Sequence, residues 1–374
     1  MTSRMIVFVH LLNDRSGSPR VLSSVVTALG RGGDRLRLFV GSDGSGCLDE
    51  AGIETTRYWY RRMPYRLLTL ITYMGSQLSL LTLLFRSRDI DRKALIYVNT
   101  LLPFGAALYG WMTRRPVIYH LHEVSVSPAP LRWFLTAMAR LAACRLIYVS
   151  DFHRGCLPIP GVRAITVYNA LDEPFLTRAR VSRYEARRGG LFNVLMLASL
   201  RDYKGVPELL KLAKRLVKRK DIQFDLVVND DAVAVQRYFA ARALPANLTI
   251  HPRTDDPATY YARACLVMNL SRPDQWVETF GLTLLEAMAF GIPVIAPPVG
   301  GPLELVTEGR EGFLIDCRCG EELAEKVRLL ADDQPLCVRL STAARAKASQ
   351  FSPQAFGQAL REAVNLQASE ESWP

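Results

Sequence analysis

Short apolar runs rich in β-branched and aromatic residues recur along this chain, separated by stretches with helical spacing. In the first half they are MIVFVH at Met5, RLRLFV at Arg35, ALIYVN at Ala94, PVIYHLH at Pro116, RLIYVS at Arg145 and AITVYN at Ala164, with a further strand near Thr55 to Tyr60. The alternation restarts with FNVLMLAS at Phe192, QFDLVVN at Gln223, LTIHP at Leu248, CLVMNLS at Cys265, PVIAP at Pro293 and GFLID at Gly312. Runs this continuous suit strands covered on both faces, and the helix-length spacers supply the crossovers that parallel strands need. The pattern predicts an α/β protein of two Rossmann-like, doubly wound parallel-sheet domains facing a central cleft, where the carboxyl ends of the strands bind ligands. Between the two series, the arginine-rich stretch EPFLTRARVSRYEARRGG has no useful periodicity. It is read as a linker, 173–190, joining an N-terminal domain, 1–172, to a C-terminal domain, 191–352. A last helical pattern, roughly Ser352 to Gln367 within 353–374, is expected to pack back toward the N-terminal domain.

One spacer stands apart. No charge occurs from Leu67 to Phe85, although Arg61, Arg62 and Arg66 precede the run and Arg86 and Arg88 follow it. Its 19 residues would cover roughly 28 Å as a helix, close to the thickness of a bilayer core. On a helical wheel Leu67, Ile71, Met74, Leu78, Leu81 and Phe85 share one face, and Thr69, Thr72, Ser76 and Ser79 gather opposite, with Leu80 and Leu83 intruding on that side. The segment falls between two strands of one parallel sheet, where a crossover helix is required and a membrane span would put the next strand on the wrong side. It is therefore expected to be a crossover helix whose apolar stripe packs on the first sheet. Its lead-in, RYWYRRMPYR, places Tyr58, Trp59, Tyr60 and Tyr65 among arginines. Arg61, Arg62 and Arg66 are expected to meet an acceptor or the anionic headgroups of a membrane.

Composition adds a bias to this layout. The 374 residues exceed one ordinary core, and 49% hydrophobic with 22% charged residues is a globular balance. The formal charge of +11 lies entirely in the first half: Met1 to Arg180 holds 23 Lys and Arg against 12 Asp and Glu, with Lys93 its only lysine. Such asymmetry suits an anionic partner. A nucleic acid would also fit the charge, but no nucleic-acid-binding module accompanies it, and none is expected as a partner. The seven cysteines follow neither a zinc nor a C-x-x-C spacing and read as reduced thiols. MIVFVHLL holds His10 and leads into Asn13, Asp14 and Arg15 without a cleavage site, so it is read as the first strand and not as a signal peptide.

Candidate chemistry concentrates in SRPDQWVETFGLTLLEAMAFGIPVIAPPVGGPLELV, Ser271 to Val306. Glu278 and Glu286 lie eight apart around Gly281, Leu282 and Thr283. A helix beginning near Gly281 would offer free backbone amides to an anion, with Glu278 in the loop before it and Glu286 in its second turn. A nucleoside diphosphate could rest on that terminus while Glu286 accepts hydrogen bonds from ribose hydroxyls and Glu278 from a sugar.

This run resembles the E-x7-E region of the retaining glycosyltransferases of family 4, which have the GT-B fold, and the resemblance extends over most of the chain. SLRDYKGVPELLKLAKRL is similar to that family's first helix of the nucleotide domain and implies Arg201 and Lys204 against the donor diphosphate. VYNALD resembles its Asn-containing turn, at Asn169. RSGSPRVLSSVVTAL sits where the family has its glycine loop, implying Gly17 as the point of close phosphate approach, although Gly-Ser-Pro stands here for the commoner Gly-Gly pair. YHLHEVS resembles the segment in which a histidine, here His122, lies near the donor sugar. His120 and His122 are read as alternating along one strand, so at most one of them is expected to face the cleft.

The resemblance implies transfer of a hexose or deoxyhexose from a nucleotide-diphosphate sugar to a glycan or lipid-linked acceptor in cell-surface polysaccharide or lipopolysaccharide synthesis. The anomeric configuration would be retained, with the departing phosphate taking the acceptor's proton, and with neither a cofactor nor a metal. The expected location is the cytoplasm, peripheral on the inner face of the plasma membrane. The Asp pairs at 230, 255 and 332 are read as caps or loops. A sugar-nucleotide epimerase of the same fold and a non-catalytic nucleotide-sugar-binding protein are the alternatives.

Overall fold

The computed structural model describes residues 4–124 and 126–365. The chain divides into two compact units, Met1–Ala170 with Pro353–Pro374, and Leu171–Ser352.

In the first unit seven strands, all parallel, form one sheet: β1 (Met5–His10), β2 (Arg35–Gly41), β3 (Glu54–Tyr58), β4 (Leu95–Asn99), β5 (Val117–Leu121), β6 (Arg145–Tyr148) and β7 (Arg163–Thr166). Their order is β3-β2-β1-β4-β5-β6-β7, so the chain reverses its direction of growth after β3. Side chains alternate between the two faces with the period of a strand. Ile6, Phe8, Leu38, Tyr97 and Ile118 pack under one layer, and Val7, Val9, Phe39, Val98 and Tyr119 under the other. The connecting helices are α1 (Gly17–Gly30), α2 (Arg66–Arg86), α3 (Phe104–Met112), α4 (Ala129–Ala142) and α5 (Asp151–Cys156).

The second unit repeats the plan with β8 (Phe192–Ala198), β9 (Ile222–Val228), β10 (Leu248–His251), β11 (Leu266–Met268), β12 (Val294–Ala296) and β13 (Gly312–Leu314). These are parallel in the order β10-β9-β8-β11-β12-β13. Its helices are α6 (Glu173–Val181), α7 (Val206–Arg215), α8 (Ala232–Phe239), α9 (Ala258–Tyr261), α10 (Leu282–Ala289), α11 (Pro302–Leu305), α12 (Gly320–Asp332) and α13 (Gln334–Ala348). Two Rossmann-like units of parallel sheet and helix are what the alternating pattern predicts.

The last helix, α14 (Pro353–Val364), packs on α1 in the first unit. Arg145 of β6 is buried and donates to the carbonyls of Glu362 (2.9 Å) and Ala363, and Arg4 donates to that of Val364 (3.2 Å). Two guanidinium groups thus satisfy carbonyls that a helix C-terminus leaves unpaired. The predicted helix runs to Gln367, and its residues 366 and 367 lie outside the described residues.

Two expectations need correction. The stretch 173–190 is not an unstructured linker, because it opens with α6 and docks into the second unit. Asp172 caps α6 by accepting from the Phe175 amide at 2.8 Å. Phe175 then packs its ring on Tyr261 and Phe290, at 5.8 and 5.4 Å. Further on, Arg187 donates to the carbonyl of Ala331 and pairs with Asp221, and the Tyr184 hydroxyl donates to the carbonyl of Cys265. The anchors are single residues scattered at uneven intervals through a polar run, too sparse to give a period.

The second correction concerns α2, which sits inside out relative to the wheel. Leu67, Ile71, Met74, Leu78 and Phe85 are exposed, whereas Tyr73, Ser76, Gln77, Leu80 and Leu84 are buried. The cause is the neighbour. α2 packs on α3, whose start is so close that a Cβ on Gly105 would lie 2.6 Å from the Gln77 carbonyl oxygen. Small and polar side chains fit that approach: Gln77 Oε1 accepts from the Gly105 amide (3.0 Å), and the Tyr73 hydroxyl donates to the Leu102 carbonyl (2.6 Å). In the lead-in Tyr58 and Tyr60 are buried, so of its aromatic residues only Trp59 and Tyr65 remain exposed.

Candidate active site

In the second unit the candidate residues are assembled by loops at the carboxyl ends of β8 and β11, where ligands bind in such sheets. After β8 the chain turns sharply. The Leu200 amide donates to Asp230 (2.9 Å), and a single 3-10 turn, Asp202–Lys204, ends at Gly205 with φ +83°. A Cβ at Gly205 would lie 2.0 Å from the Leu270 carbonyl oxygen. Only glycine therefore lets this turn press against the end of β11, and that contact delivers Lys204 to its partner.

The partner is Glu278. Lys204 Nζ and Glu278 Oε1 are 2.6 Å apart, and Ser271 Oγ donates to the same oxygen at 2.8 Å. Burial pushes the Glu278 carboxyl pKa up, but the Lys204 ammonium and the bonds from Ser271 and Asn269 outweigh it and hold the group below the usual glutamate range. Glu278 is thus an ionised acceptor, unsuited to donate a proton. Lys204 also stands 4.5 Å from the centre of the Trp276 ring, which stacks on Tyr203 at 5.2 Å. Arg272 pins this loop to α7 through Glu208 at 2.6 Å. Gly300 and Gly301 hold the Glu278 backbone from the far side: Gly301 donates to the Glu278 carbonyl (2.9 Å), and a Cβ on Gly301 would lie 2.3 Å from the Thr279 carbonyl oxygen.

Gly281, at φ +103°, caps α10, whose first turn presents the backbone amides of Leu282 and Thr283 without intrahelical partners. Glu286 lies in the second turn, but it is buried and accepts from the Tyr261 hydroxyl at 2.6 Å. The two glutamates therefore stand in different settings: Glu278 in an ion pair at a loop, Glu286 inside the unit. Arg201 is exposed, and its guanidinium donates only weakly, to the Leu200 carbonyl at 3.4 Å. Asp231 and Asp333 cap α8 and α13, and Asp256 pairs with Arg178.

The first unit gathers four histidines, His10 at the end of β1, His120 and His122 in and just after β5, and His153 in α5. His122 follows β5, and its Nε2 lies 2.9 Å from Asn99 Oδ1 at the end of β4. Asn99 Nδ2 donates to the Ser18 carbonyl at 3.2 Å and faces His10 Nδ1 at 3.1 Å. With Asn99 Nδ2 committed as donor, its Oδ1 must accept, so His122 carries its proton on Nε2 and presents Nδ1 as an acceptor. The expected alternation of the two histidines does not hold: His120, two residues earlier and so on the same face by the period of a strand, has its ring 4.5 Å from that of His122. His120 is sealed and bonded to the Tyr97 hydroxyl at 2.9 Å; His122 is the more open of the two. Burial lowers the pKa of His10 and His153 to about 4 and of His120 to about 3, and it also drives that of His122 well down, helped by the neighbouring histidines. All four are neutral at pH 7. Glu123, whose pKa burial raises, accepts from the Leu101 and His122 amides, and His153 Nε2 lies 2.8 Å from its carbonyl oxygen.

Through Ser18, Asn99 ties His122 to the start of α1, where Gly17 has an ordinary backbone conformation and nothing within 4 Å of an added Cβ. The fold does not itself require glycine there. Asn169 is buried, with no partner for Oδ1 among the described residues. Arg61, Arg62 and Arg66 are exposed, and the Arg62 amide donates to Asp43 at 2.7 Å. YHLHEVS ends on Ser125, which lies outside the described residues. Asn99 and Ser271 escaped the reading of the sequence, although each closes an apolar run on a polar residue, LIYVN and MNLS, as the mouth of a parallel sheet does.

The two units, each a parallel Rossmann-like sheet, make the GT-B architecture of glycosyltransferases. Residues 180–347, most of the second unit, match the family model for Glycosyl transferases group 1. The chain is 31% identical over 210 residues to the D-inositol 3-phosphate glycosyltransferase of Pseudarthrobacter chlorophenolicus, covering 54% of this chain and 47% of that one. It thus spans about half the length of that relative. Among solved structures, Anabaena Alr3699/HepE in complex with UDP-glucose is similar at TM-score 0.75 and 22% identity, covering 96% of this chain and 98% of that one. WaaG, a glycosyltransferase involved in lipopolysaccharide biosynthesis, is similar at TM-score 0.72 and 14% identity over 96% of this chain and 100% of that one. At such identities the structures speak for the fold alone. The likeness to group 1 glycosyl transferases is thus carried by residues 180–347, within the second unit.

Proposed function

We propose that this protein is a retaining glycosyltransferase that moves a hexose or deoxyhexose from a nucleotide-diphosphate sugar to a glycan or lipid-linked acceptor, in cell-surface polysaccharide synthesis at the cytoplasmic face of a membrane. The observation that carries the reading is the Lys204–Glu278 ion pair at 2.6 Å, set on Trp276 inside the segment that matches the family model. The family model and the named relatives are transferases, which favours transfer over epimerisation or mere binding.

In this reaction the bond from the anomeric carbon to the β-phosphate oxygen breaks, and a bond to the acceptor hydroxyl oxygen forms on the same face. The acceptor's proton passes to the departing phosphate. Negative charge grows on that phosphate, where Lys204, the exposed Arg201 and the first-turn amides of α10 supply positive ends without a metal. Glu278, held ionised, accepts from sugar hydroxyls, and Glu286, with Gly281 before it, supports the nucleotide side. Gly17, Asn169 and the Nδ1 acceptor of His122 serve the donor from the first unit. The test is to incubate the protein with a panel of labelled sugar nucleotides and a membrane extract, following label into lipid or glycan. Glu278→Ala and Lys204→Ala should each lower transfer by roughly a hundredfold or more, and transfer at the wild-type rate by either variant would refute the assignment.

A further inference from the structure

α2 is long and apolar enough to cross a membrane, yet only 28% of its most apolar window is buried in the fold. The exposed part is ordered. Leu67, Ile71, Met74, Leu78 and Phe85 recur every three, four or seven residues and so lie along one line of the helix. Leu67, Ile71 and Leu78 are 69%, 59% and 65% exposed. The opposite face cannot enter lipid, because Leu80 and Leu84 are fully buried and Gln77 and Tyr73 are bonded to the backbone around the start of α3. α2 is thus held to the unit along one side and bare and apolar along the other.

Charge identifies what covers the bare side. No Asp or Glu occurs from Tyr58 to Arg88, and Arg61, Arg62, Arg66, Arg86 and Arg88 flank the stripe at both ends. Among the described residues none of the five has a carboxylate within ion-pair distance. Trp59 is half exposed and lies beside the helix, its ring 3.1 Å from where a Cβ on Gly75 would be. Trp133 of α4, in the same layer of helices, is exposed as well. An apolar line with cations at both ends and aromatic residues beside it matches a helix lying in a lipid interface. A second copy of this chain, paired face to face about a two-fold axis, would set these arginines against their equivalents, and an anionic bilayer would neutralise them.

We propose that the outward face of α2 is a membrane-docking surface, with the helix lying in the plane of an anionic bilayer, Leu67, Ile71 and Leu78 in the acyl boundary and the flanking arginines on the headgroups. This deepens the membrane location proposed above and rests on it, but not on the transfer chemistry. The experiment is flotation of the full chain with vesicles of phosphatidylcholine alone or with phosphatidylglycerol, at low and high salt, beside sedimentation and thermal melting in solution. The wild type should float with anionic vesicles only. The triple variant Leu67→Gln, Ile71→Gln, Leu78→Gln should bind at least tenfold more weakly with an unchanged melting temperature, because these side chains support no core. Glu278→Ala should float like the wild type, so a failed transfer assay would leave this surface standing. Equal flotation of the triple variant, equal binding to neutral vesicles, or a solution dimer that the triple variant dissolves would each overturn it.

Discussion

Two helices, α2 and α10, read much alike in one dimension: both are apolar and free of charge but for Glu286 in α10 and the terminal arginines of α2. They have opposite fates. α10 is enclosed, with Leu284 through Ala289 all buried under the second sheet, and it carries even its carboxylate inside, paired with Tyr261. α2 turns Tyr73, Ser76 and Gln77 inward and leaves Leu67 and Leu78 in solvent. An apolar stripe therefore tells which residues want cover, and the neighbouring element decides which side receives it. α3 demands close approach and a partner for a backbone amide, and Ser76 and Gln77 supply both.

The comparison breaks most readily at α10. Leu284→Asp would bury a charge with no partner, and the second unit should lose about 4 kcal/mol or more; the same change at Leu78 of α2 should leave the melting temperature within about a degree or two. Equal losses at both sites would mean that the outward stripe of α2 is covered in the folded protein.

Acid should separate the units next. The pKa values of His10, His120 and His153 are lowered from 6.5 to about 4, 3 and 4, and that of His122 is lowered too, so the unfolded chain binds more protons than the first unit between the two limits. Stability from keeping them neutral is complete above pH 6.5 and is lost as pH falls toward about 4. The raised Glu123 offsets part of this in the opposite sense. The first unit should lose on the order of a few kcal/mol across that range, as read by hydrogen exchange of β4 and β5 amides against those of β8 and β9. A uniform response of both sheets would count against the histidine cluster as its cause.

The smallest effects sharpen the orientation of α2 itself. Ser76→Leu, at a position the wheel marks as polar and the fold marks as inward, should cost about 1 to 3 kcal/mol by overpacking against the start of α3. Ile71→Ser, on the apolar stripe, should change stability by no more than about 0.5 kcal/mol. Denaturant melts of the two variants decide the sign, and the reverse ranking would restore the orientation the wheel suggests.

Much of this was legible in advance. Every predicted apolar run became a strand of a parallel sheet, because runs covered on both faces leave no other reading. Gly281 was placed at the start of a helix and Glu286 in its second turn, since a glycine before an apolar run is a local signal. The pairing of Lys204 with Glu278 was not legible, because 74 residues separate them and only the press of Gly205 on Leu270 brings them together. Nor was the role of Asn99, which depends on β1, β4 and β5 lying side by side, or the docking of 173–190, which hangs on Phe175 and Arg187 finding partners far along the chain.

What the sequence determined alone was therefore whatever depends on period and on near neighbours: the strands, the crossovers, the helix starts and the bias of positive charge. Tertiary structure decided which face of a helix looks inward, which of two glutamates meets a lysine, and which nitrogen of His122 carries the proton. Each of these turns on a contact between residues distant in the chain, and a free energy of that kind is set by the partner's position, which no local pattern encodes.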